Sequence, residues 1–377
     1  MAVLNLRDLD EAGQRAALSP YGISDRGLRK IFSHVHAKDR VSLADLDLLP
    51  AETRRHLARD THYPDIDVVD RRRSGDGFMK YLFQLPDGAR VEAVRIPLPD
   101  PAVARELKEK RRRGEVAGLA TLPTAKFTVC LSSQVGCALA CAFCATGKLG
   151  FTRNLATWEM LAQLRRIKAE ADLPISGILF LGMGEPLLNY DAVIRAAKIL
   201  SHPAGHAISA DAISISTAGI APAIHRYADE RHPYRLIVSL GAAESTLRAR
   251  LMPIERTYDL ARLREAILAY AATTGGRITL AYVGVSGVNM GRENAQALIQ
   301  FCAGLRVKVN LIDVNDDQGT FSPPTDEEIR IFRDELSLAR IPLARRYAGG
   351  KDIAAACGTL AATQHGGETV PSDPAHS

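Results

Sequence analysis

Hydrophobic positions change period twice along the chain, and the changes divide it. Over residues 1–60 apolar side chains recur at helical spacing: Leu4, Leu6 and Leu9, then Leu28, Ile31, Phe32 and Val35, then Leu46, Leu48 and Leu49 before Pro50. Residues 77–97 read as a β-hairpin, with Phe78 to Leu85 and Val91 to Ile96 flanking a Pro86-Asp87-Gly88 turn. From Lys126 onward strand and helix patterns alternate. The predicted strands are 126–132, 176–183, 212–217, 235–240, 277–285 and 307–314. Helical patterns fill 157–171, 190–201, 221–230, 259–273, 291–303 and 325–338.

Such βα alternation requires a parallel sheet, and six consecutive units suit an open partial barrel or a doubly wound sheet. Both build their functional groups at the C-terminal ends of the strands. The expected organisation is a helical accessory domain over 1–60 and a hairpin extension with a basic linker over 61–125. The α/β unit spans 126–361, and a disordered tail 362–377. The run Lys108–Arg113 is read as an exposed loop or short helix. Cys302, among Leu298, Ile299 and Phe301, is read as core.

Composition adds limits. A chain of 377 residues with 46% hydrophobic and 24% charged residues can bury a large core, and a net charge of +5 permits an anionic partner without requiring one. No cationic-then-apolar leader opens the sequence and no run of about 18 apolar residues is present, so the expected location is the cytoplasm, with no membrane contact. Six cysteines, three of them clustered, read as metal ligands or redox thiols rather than a disulfide framework.

The chemistry concentrates after the first barrel strand. Cys137-Ala-Leu-Ala-Cys141-Ala-Phe-Cys144 supplies three thiolates with no fourth nearby. A cubane cluster bound this way keeps one iron open for a non-protein ligand, whereas a zinc site would recruit a distant fourth donor. Spacing favours the cluster over zinc, because zinc pairs usually run Cys-x₂-Cys. One βα unit later comes Gly182-Met-Gly-Glu185-Pro186, a glycine-rich turn with a single carboxylate.

Together these motifs resemble the signature of the radical S-adenosylmethionine (SAM) superfamily. The fold this implies is a partial (β/α)6 radical SAM barrel. Cys137, Cys141 and Cys144 would hold a 4Fe–4S cluster whose open iron is chelated by SAM, and the Gly-Glu-Pro loop would receive the SAM amino group. Further segments resemble the RlmN/Cfr family of RNA adenine methyltransferases: Val129-Cys130-Leu-Ser-Ser-Gln, Gly150-Phe-Thr-Arg-Asn-Leu155, Gly182 to Asn189, Ile215 to Gly219 and Lys351-Asp-Ile-Ala-Ala-Ala-Cys357-Gly.

That resemblance implies methylation of adenine carbon 2 or carbon 8 in 23S rRNA, and in tRNA, with two SAM molecules consumed per turnover. Cys357 would be the methyl carrier, Cys130 the thiol that resolves the adduct as a disulfide, and Glu92 the proton acceptor. Gly184, Glu185, Ser216, Ser239, Leu240, Gly241 and Asn315 match the SAM positions. A low-potential donor such as flavodoxin and a monomeric enzyme are implied as well.

Three departures stand out. Gly241 replaces the usual histidine, removing a side chain beside SAM. Asn315 lacks its Trp-Asn-Pro setting. About twenty residues, 99–123, are inserted before the first barrel strand. The rival readings are a radical SAM enzyme acting on a different, non-RNA substrate and a non-catalytic RNA-binding metalloprotein.

Overall fold

The structure is a computed structural model that describes residues 3–40, 43, 46–47, 49–112, 123–275, 278–316, 319–346 and 349–362. Ten of its strands form one sheet: β1 (Asp67–Arg73), β2 (Met79–Gln84), β3 (Arg90–Pro99), β4 (Thr124–Leu131), then β7 (Ile175–Phe180), β8 (Ile213–Thr217), β9 (Arg235–Ser239), β10 (Ile278–Gly284), β11 (Val307–Asp313) and β12 (Leu343–Arg346). β5 (Gln134–Gly136) and β6 (Phe151–Asn154) pair separately.

From β4 to β12 every neighbour is parallel and the spatial order follows the chain order. Right-handed crossovers that always add to the same edge put every helix on one face. A doubly wound sheet must reverse its order somewhere; this one does not. The architecture is therefore a partial barrel, left open because β1 and β12 end the sheet unpaired with each other. The six expected strand–helix pairs form, and β12 adds a seventh parallel strand.

The expected hairpin is β2–β3, with Leu82 opposite Glu92 and Lys80 opposite Val94. It continues the barrel sheet, since β3 pairs antiparallel with β4 and sets Val94 against Cys130. In the ten-stranded sheet, the strands without a sequence signal are the two edges, β1 and β12. Asp-Val-Val-Asp-Arg-Arg-Arg and Leu-Ala-Arg-Arg lack apolar alternation because an edge faces water and charge there discourages further pairing.

Helices begin and end on local chemistry. Thr325 and Glu328 form a reciprocal capping box before Asp326–Leu338, and Gly275, at φ 60°, ends Leu260–Thr274 in the left-handed conformation. Residues 11–18, 25–36 and 51–60 are helical, and Leu6, Leu18, Leu28, Ile31, Val35 and Leu57 make a small core separate from the main one. The segment Pro101–Arg112 is a helix twelve residues long, longer than the loop or short helix expected; Arg113 and the chain from 363 lie outside the described residues. Cys302 is buried in the main core, as expected. Among the described residues no helix is long and apolar enough to cross a membrane.

One buried side chain locks the start of the site. Gln163, fully inaccessible, accepts from the Ser132 N–H at 3.0 Å and donates to the Ser132 carbonyl at 3.1 Å. It thus imitates a strand partner where β4 gives way to the cysteine loop. Replacing it with methionine, similar in volume, strands both backbone groups. A loss of about 2–4 kcal/mol in urea denaturation is expected, and an unchanged midpoint would contradict this role.

Candidate active site

The three-cysteine loop sits at the C-terminal end of β4, where a barrel presents its chemistry. β5 and β6 brace it: the Cys137 N–H donates to the Gly150 carbonyl at 2.8 Å. A Cβ on Gly136, at φ 73°, would lie 1.9 Å from that same oxygen, so only glycine lets the strands close. At the other end Ala142 N–H donates to the Leu251 carbonyl at 2.9 Å. The Gly150-Phe-Thr-Arg-Asn segment is thus a structural clamp on the cysteine loop.

Cys137, Cys141 and Cys144 are partly exposed, free thiols that influence one another electrostatically. Burial pushes the Cys137 thiol up to about 11, with Glu185 and Cys144 adding to the rise; Cys141 moves in the same direction, chiefly by burial. A metal bound here would have to displace the protons of these thiols, since thiolates are the ligating form. Among the described residues no three His, Cys, Asp or Glu side chains converge as one metal ion would require. A single zinc ion needs its sulfurs gathered about one point, whereas a cubane gives each thiolate its own iron. The donor set fits an iron–sulfur cluster.

Beside this loop, Glu185 is buried and accepts from Leu187 N–H (2.9 Å) and Ala218 N–H (2.7 Å). Desolvation nevertheless dominates and raises its carboxyl to about 7. Gly184, at φ 101°, allows the turn to press on Gln134, where a Cβ would come within 2.6 Å. Ser216 and Ser239, ending β8 and β9, bring their hydroxyls to 3.4 Å of each other. Leu240 is fully buried, and its carbonyl accepts from Arg248 Nε at 3.0 Å. Asn315 follows β11 and turns its amide back to the Asp313 carbonyl at 3.0 Å.

Arg248 carried no sequence signal beyond an ordinary helix position. It is completely buried and also donates to Glu255 (2.5 Å) and the Ala218 carbonyl (2.7 Å). It ties together the loops after β8 and β9, the segments that hold Ser216 and Ser239.

Gly241 is packed against Met252. A Cβ there would meet Met252 Sδ at 2.5 Å, and the residue sits at φ 70°. The absent side chain leaves no open space, because the thioether of buried Met252 fills it.

The chain end closes the site. Ala145 N–H donates to the Gly358 carbonyl at 2.7 Å and Thr146 Oγ1 to the Leu360 carbonyl at 2.6 Å. Asp352 accepts from Ser74 Oγ (2.6 Å) and Gly75 N–H (3.1 Å). These bonds lay 351–361 across the cysteine loop and the hairpin. Cys357 interacts electrostatically with both Cys144 and Cys130. Cys130 is buried and Cys357 exposed at its surface; desolvation by the surrounding protein raises both thiols. Both are free, so no disulfide joins them in this structure.

Glu92 is fully buried rather than exposed as hairpin carboxylates usually are. Its Oε2 accepts from the Ala361 N–H at 2.9 Å, and its Oε1 lies 3.0 Å from Lys80 Nζ. Its own carbonyl accepts from Ser132 Oγ at 2.5 Å.

The barrel, the cysteine loop and the carboxylate turn after β7 define the class. Residues 131–299 match the model of the radical SAM superfamily. The chain is 48% identical over 98% of its length to a probable RNA methyltransferase of Myxococcus xanthus, covering 97% of that protein. It is 38% identical over 90% of its length to the dual-specificity RNA methyltransferase RlmN of Syntrophobacter fumaroxidans, covering 94% of it. A crystal structure of a radical SAM methyltransferase from Sphaerobacter thermophilus superposes with a TM-score of 0.80, at 35% identity, over 96% of this chain and all of that one. This chain belongs to the RlmN-type family of radical SAM RNA methyltransferases. The family implies a 4Fe–4S cluster and SAM.

The packing at Gly241 yields a test. Gly241→Ala should cost about 1–3 kcal/mol from overpacking. In a double-mutant cycle with Met252→Ala, thermal unfolding should give a coupling of about 1 kcal/mol or more. Additive losses would show that Met252 does not occupy that space.

Proposed function

We propose that the protein methylates carbon 2 or carbon 8 of an adenine in 23S rRNA, and also in tRNA, using a methyl group carried on Cys357. Carrying this reading is the meeting of Cys130, Cys357 and Cys144 at one barrel mouth, with Glu92 bonded to the same chain-end loop. Two of these three thiols, Cys130 and Cys357, lie outside the cluster motif, and a ring carbon that cannot attack SAM directly needs just such a carrier and resolver.

Cys137, Cys141 and Cys144 would hold the cluster, and Glu185, Ser216, Ser239 and Asn315 would hold SAM, with Gly184, Leu240 and Gly241 shaping its bed. When bound, the cluster and SAM would supply the hydrogen-abstracting radical and accept the one surplus electron. The Cys357 sulfur first accepts a methyl group from one SAM, releasing a proton. Loss of one hydrogen atom from that S-methyl, to the radical derived from a second SAM, leaves a methylene radical on Cys357. This carbon bonds to the adenine ring carbon. Glu92 takes the ring hydrogen as a proton, its bonding pair remaining in the ring. The Cys130 thiolate bonds to the Cys357 sulfur as the carbon–sulfur bond breaks, the pair from that bond takes up one proton to complete the methyl group, and the surplus electron leaves. Product methyladenosine and a Cys130–Cys357 disulfide result, and a two-electron thiol reductant resets the pair.

Burial of Cys130 behind exposed Cys357 favours this division of roles. Arg26, Arg29 and Lys30 line a groove on the exposed side of helix Asp25–His36 and would contact RNA phosphates. The target base must be unpaired to enter the mouth. A flavodoxin-type donor and a monomeric, cytoplasmic enzyme complete the reading.

Reconstituted enzyme given methyl-labelled SAM, dithionite and unmodified rRNA should produce methyladenosine by nucleoside mass spectrometry. Cys357→Ala should abolish it, and Cys130→Ala should leave RNA covalently attached to protein. Deoxyadenosine without an RNA product would reject the substrate.

Glu185 predicts a pH dependence. Burial raises its carboxyl to about 7 without ligand, and the N–H groups of the SAM amine are accepted by the carboxylate form. Below that pH binding must first release a proton, so Kd should rise by up to about tenfold per pH unit. Equilibrium dialysis with oxidised enzyme between pH 5.5 and 8.5 measures this. A flat profile would exclude Glu185 as the partner of the SAM amino group.

A further inference from the structure

The hairpin places a lysine where strands ordinarily put apolar side chains. Lys80 and Glu92 are 4% and 0% exposed, and Nζ stands 3.0 Å from Oε1. Directly opposed residues of antiparallel strands share a face. Lys80 opposes Val94, and Val94 opposes Cys130, so Lys80, Val94 and Cys130 form one cross-strand row. Glu92 opposes Leu82 and lies on the same face as Val94, two positions along β3. The ion pair is thus on the face of the sheet that carries the buried Cys130, beneath the loop bearing Cys357.

The two carboxylate oxygens are held differently. Oε2 accepts a well-formed bond from Ala361 N–H at 2.9 Å. Oε1 is in ionic contact with Lys80 yet receives no hydrogen bond of proper direction. An oxygen stabilised by a neighbouring charge, with its lone pair uncommitted, is placed to take a proton without first surrendering a bond.

An isolated buried carboxylate would be neutral, and a neutral acid cannot accept a proton. A buried pair of opposite charges also contributes little net stability over an apolar pair, so stability gives weak reason for its presence here. From this we infer that Lys80 is a positioning residue for the methyl transfer: its ammonium, 3.0 Å from Oε1, fixes the buried Glu92 carboxylate while leaving that oxygen free of hydrogen bonds for the ring proton. The inference rests on Glu92 being the proton acceptor. In the step concerned the ring C–H bond breaks, its electron pair stays in the ring, and the proton becomes the hydroxyl hydrogen of Glu92. The Lys80 ammonium keeps its three protons throughout.

Because Lys80 acts on this step alone, its loss should separate the two halves of the reaction. Methylation of Cys357 and radical formation require no ring proton to be removed. Removal follows formation of the protein–RNA bond, so a defect there traps the covalent adduct.

The experiment compares wild type, Lys80→Met, Lys80→Arg and Glu92→Gln in the reconstituted full chain with rRNA, following three species. These are S-methyl-Cys357 by peptide mass spectrometry, covalent protein–RNA adduct by denaturing gel, and methyladenosine. For Lys80→Met the expected result is S-methyl-Cys357 within about threefold of wild type. Methyladenosine should fall by at least about tenfold, at the low end of what a general base contributes, and adduct should accumulate. Lys80→Arg, which keeps the charge, should recover at least half of the product.

Wild-type product formation by Lys80→Met overturns the inference. So does an equal loss of S-methyl-Cys357 and product, which marks a merely structural lysine. Rescue failing in Lys80→Arg while adduct does not accumulate has the same meaning. Glu92→Gln separates the premises: normal product there removes Glu92 as acceptor, and adduct accumulation there but not in Lys80→Met rejects the lysine alone.

Discussion

Everything distinctive about this site depends on the segment 351–361 being fastened across the barrel mouth. Three hydrogen bonds do this: Ala145 to the Gly358 carbonyl, Thr146 to the Leu360 carbonyl, and Ala361 to Glu92. Without them Cys357 would belong to a surface tail. With them it lies within electrostatic range of Cys144 and Cys130, and the loop that carries it contacts the carboxylate on β3. One residue, Asp352, secures the far side by accepting from Ser74 and Gly75 at the hairpin base. The segment offers backbone atoms, which the Ala145 N–H, the Thr146 hydroxyl and the Glu92 carboxylate each engage.

Charge at the mouth is arranged by the same economy. Arg248 spends its donors on carbonyls and Glu255, fastening the loops after β8 and β9. Glu185 takes two backbone N–H bonds yet still feels its burial most strongly. Glu92 is balanced by Lys80. Each buried charge therefore has a named partner or an evident reason to bind one, as desolvation demands. The partial barrel permits this because its open side admits loops from the hairpin and the chain end together.

Much of this was legible in the sequence. The six strand–helix pairs, the hairpin and its turn, and the three-cysteine loop follow from period and spacing, because buried parallel strands and amphipathic helices write their faces directly into apolar positions. The edge strands β1 and β12 did not, since charge serves them better than alternation. Nor did the space beside Gly241: a missing side chain reads as a gap, but Met252, eleven positions on, fills it. Arg248 and Gln163 look like ordinary helix residues, and only tertiary contacts reveal backbone partners far away in sequence. Lys80 did leave a signal, a lone charge within an apolar strand run, whose meaning depends on which strand lies beside it. The distance between Cys130 and Cys357 along the chain likewise hid their proximity, which the resemblance implied and the spacing could not.

The central claim is that Cys357 carries the methyl group, and it can be examined without RNA. Reconstituted enzyme would be incubated with methyl-labelled SAM under reducing conditions, quenched, digested and mapped by peptide mass spectrometry. Label confined to the peptide containing Cys357, with Cys130 unmodified, is the predicted result. Label on Cys130, or on neither cysteine while SAM is cleaved, would contradict the account.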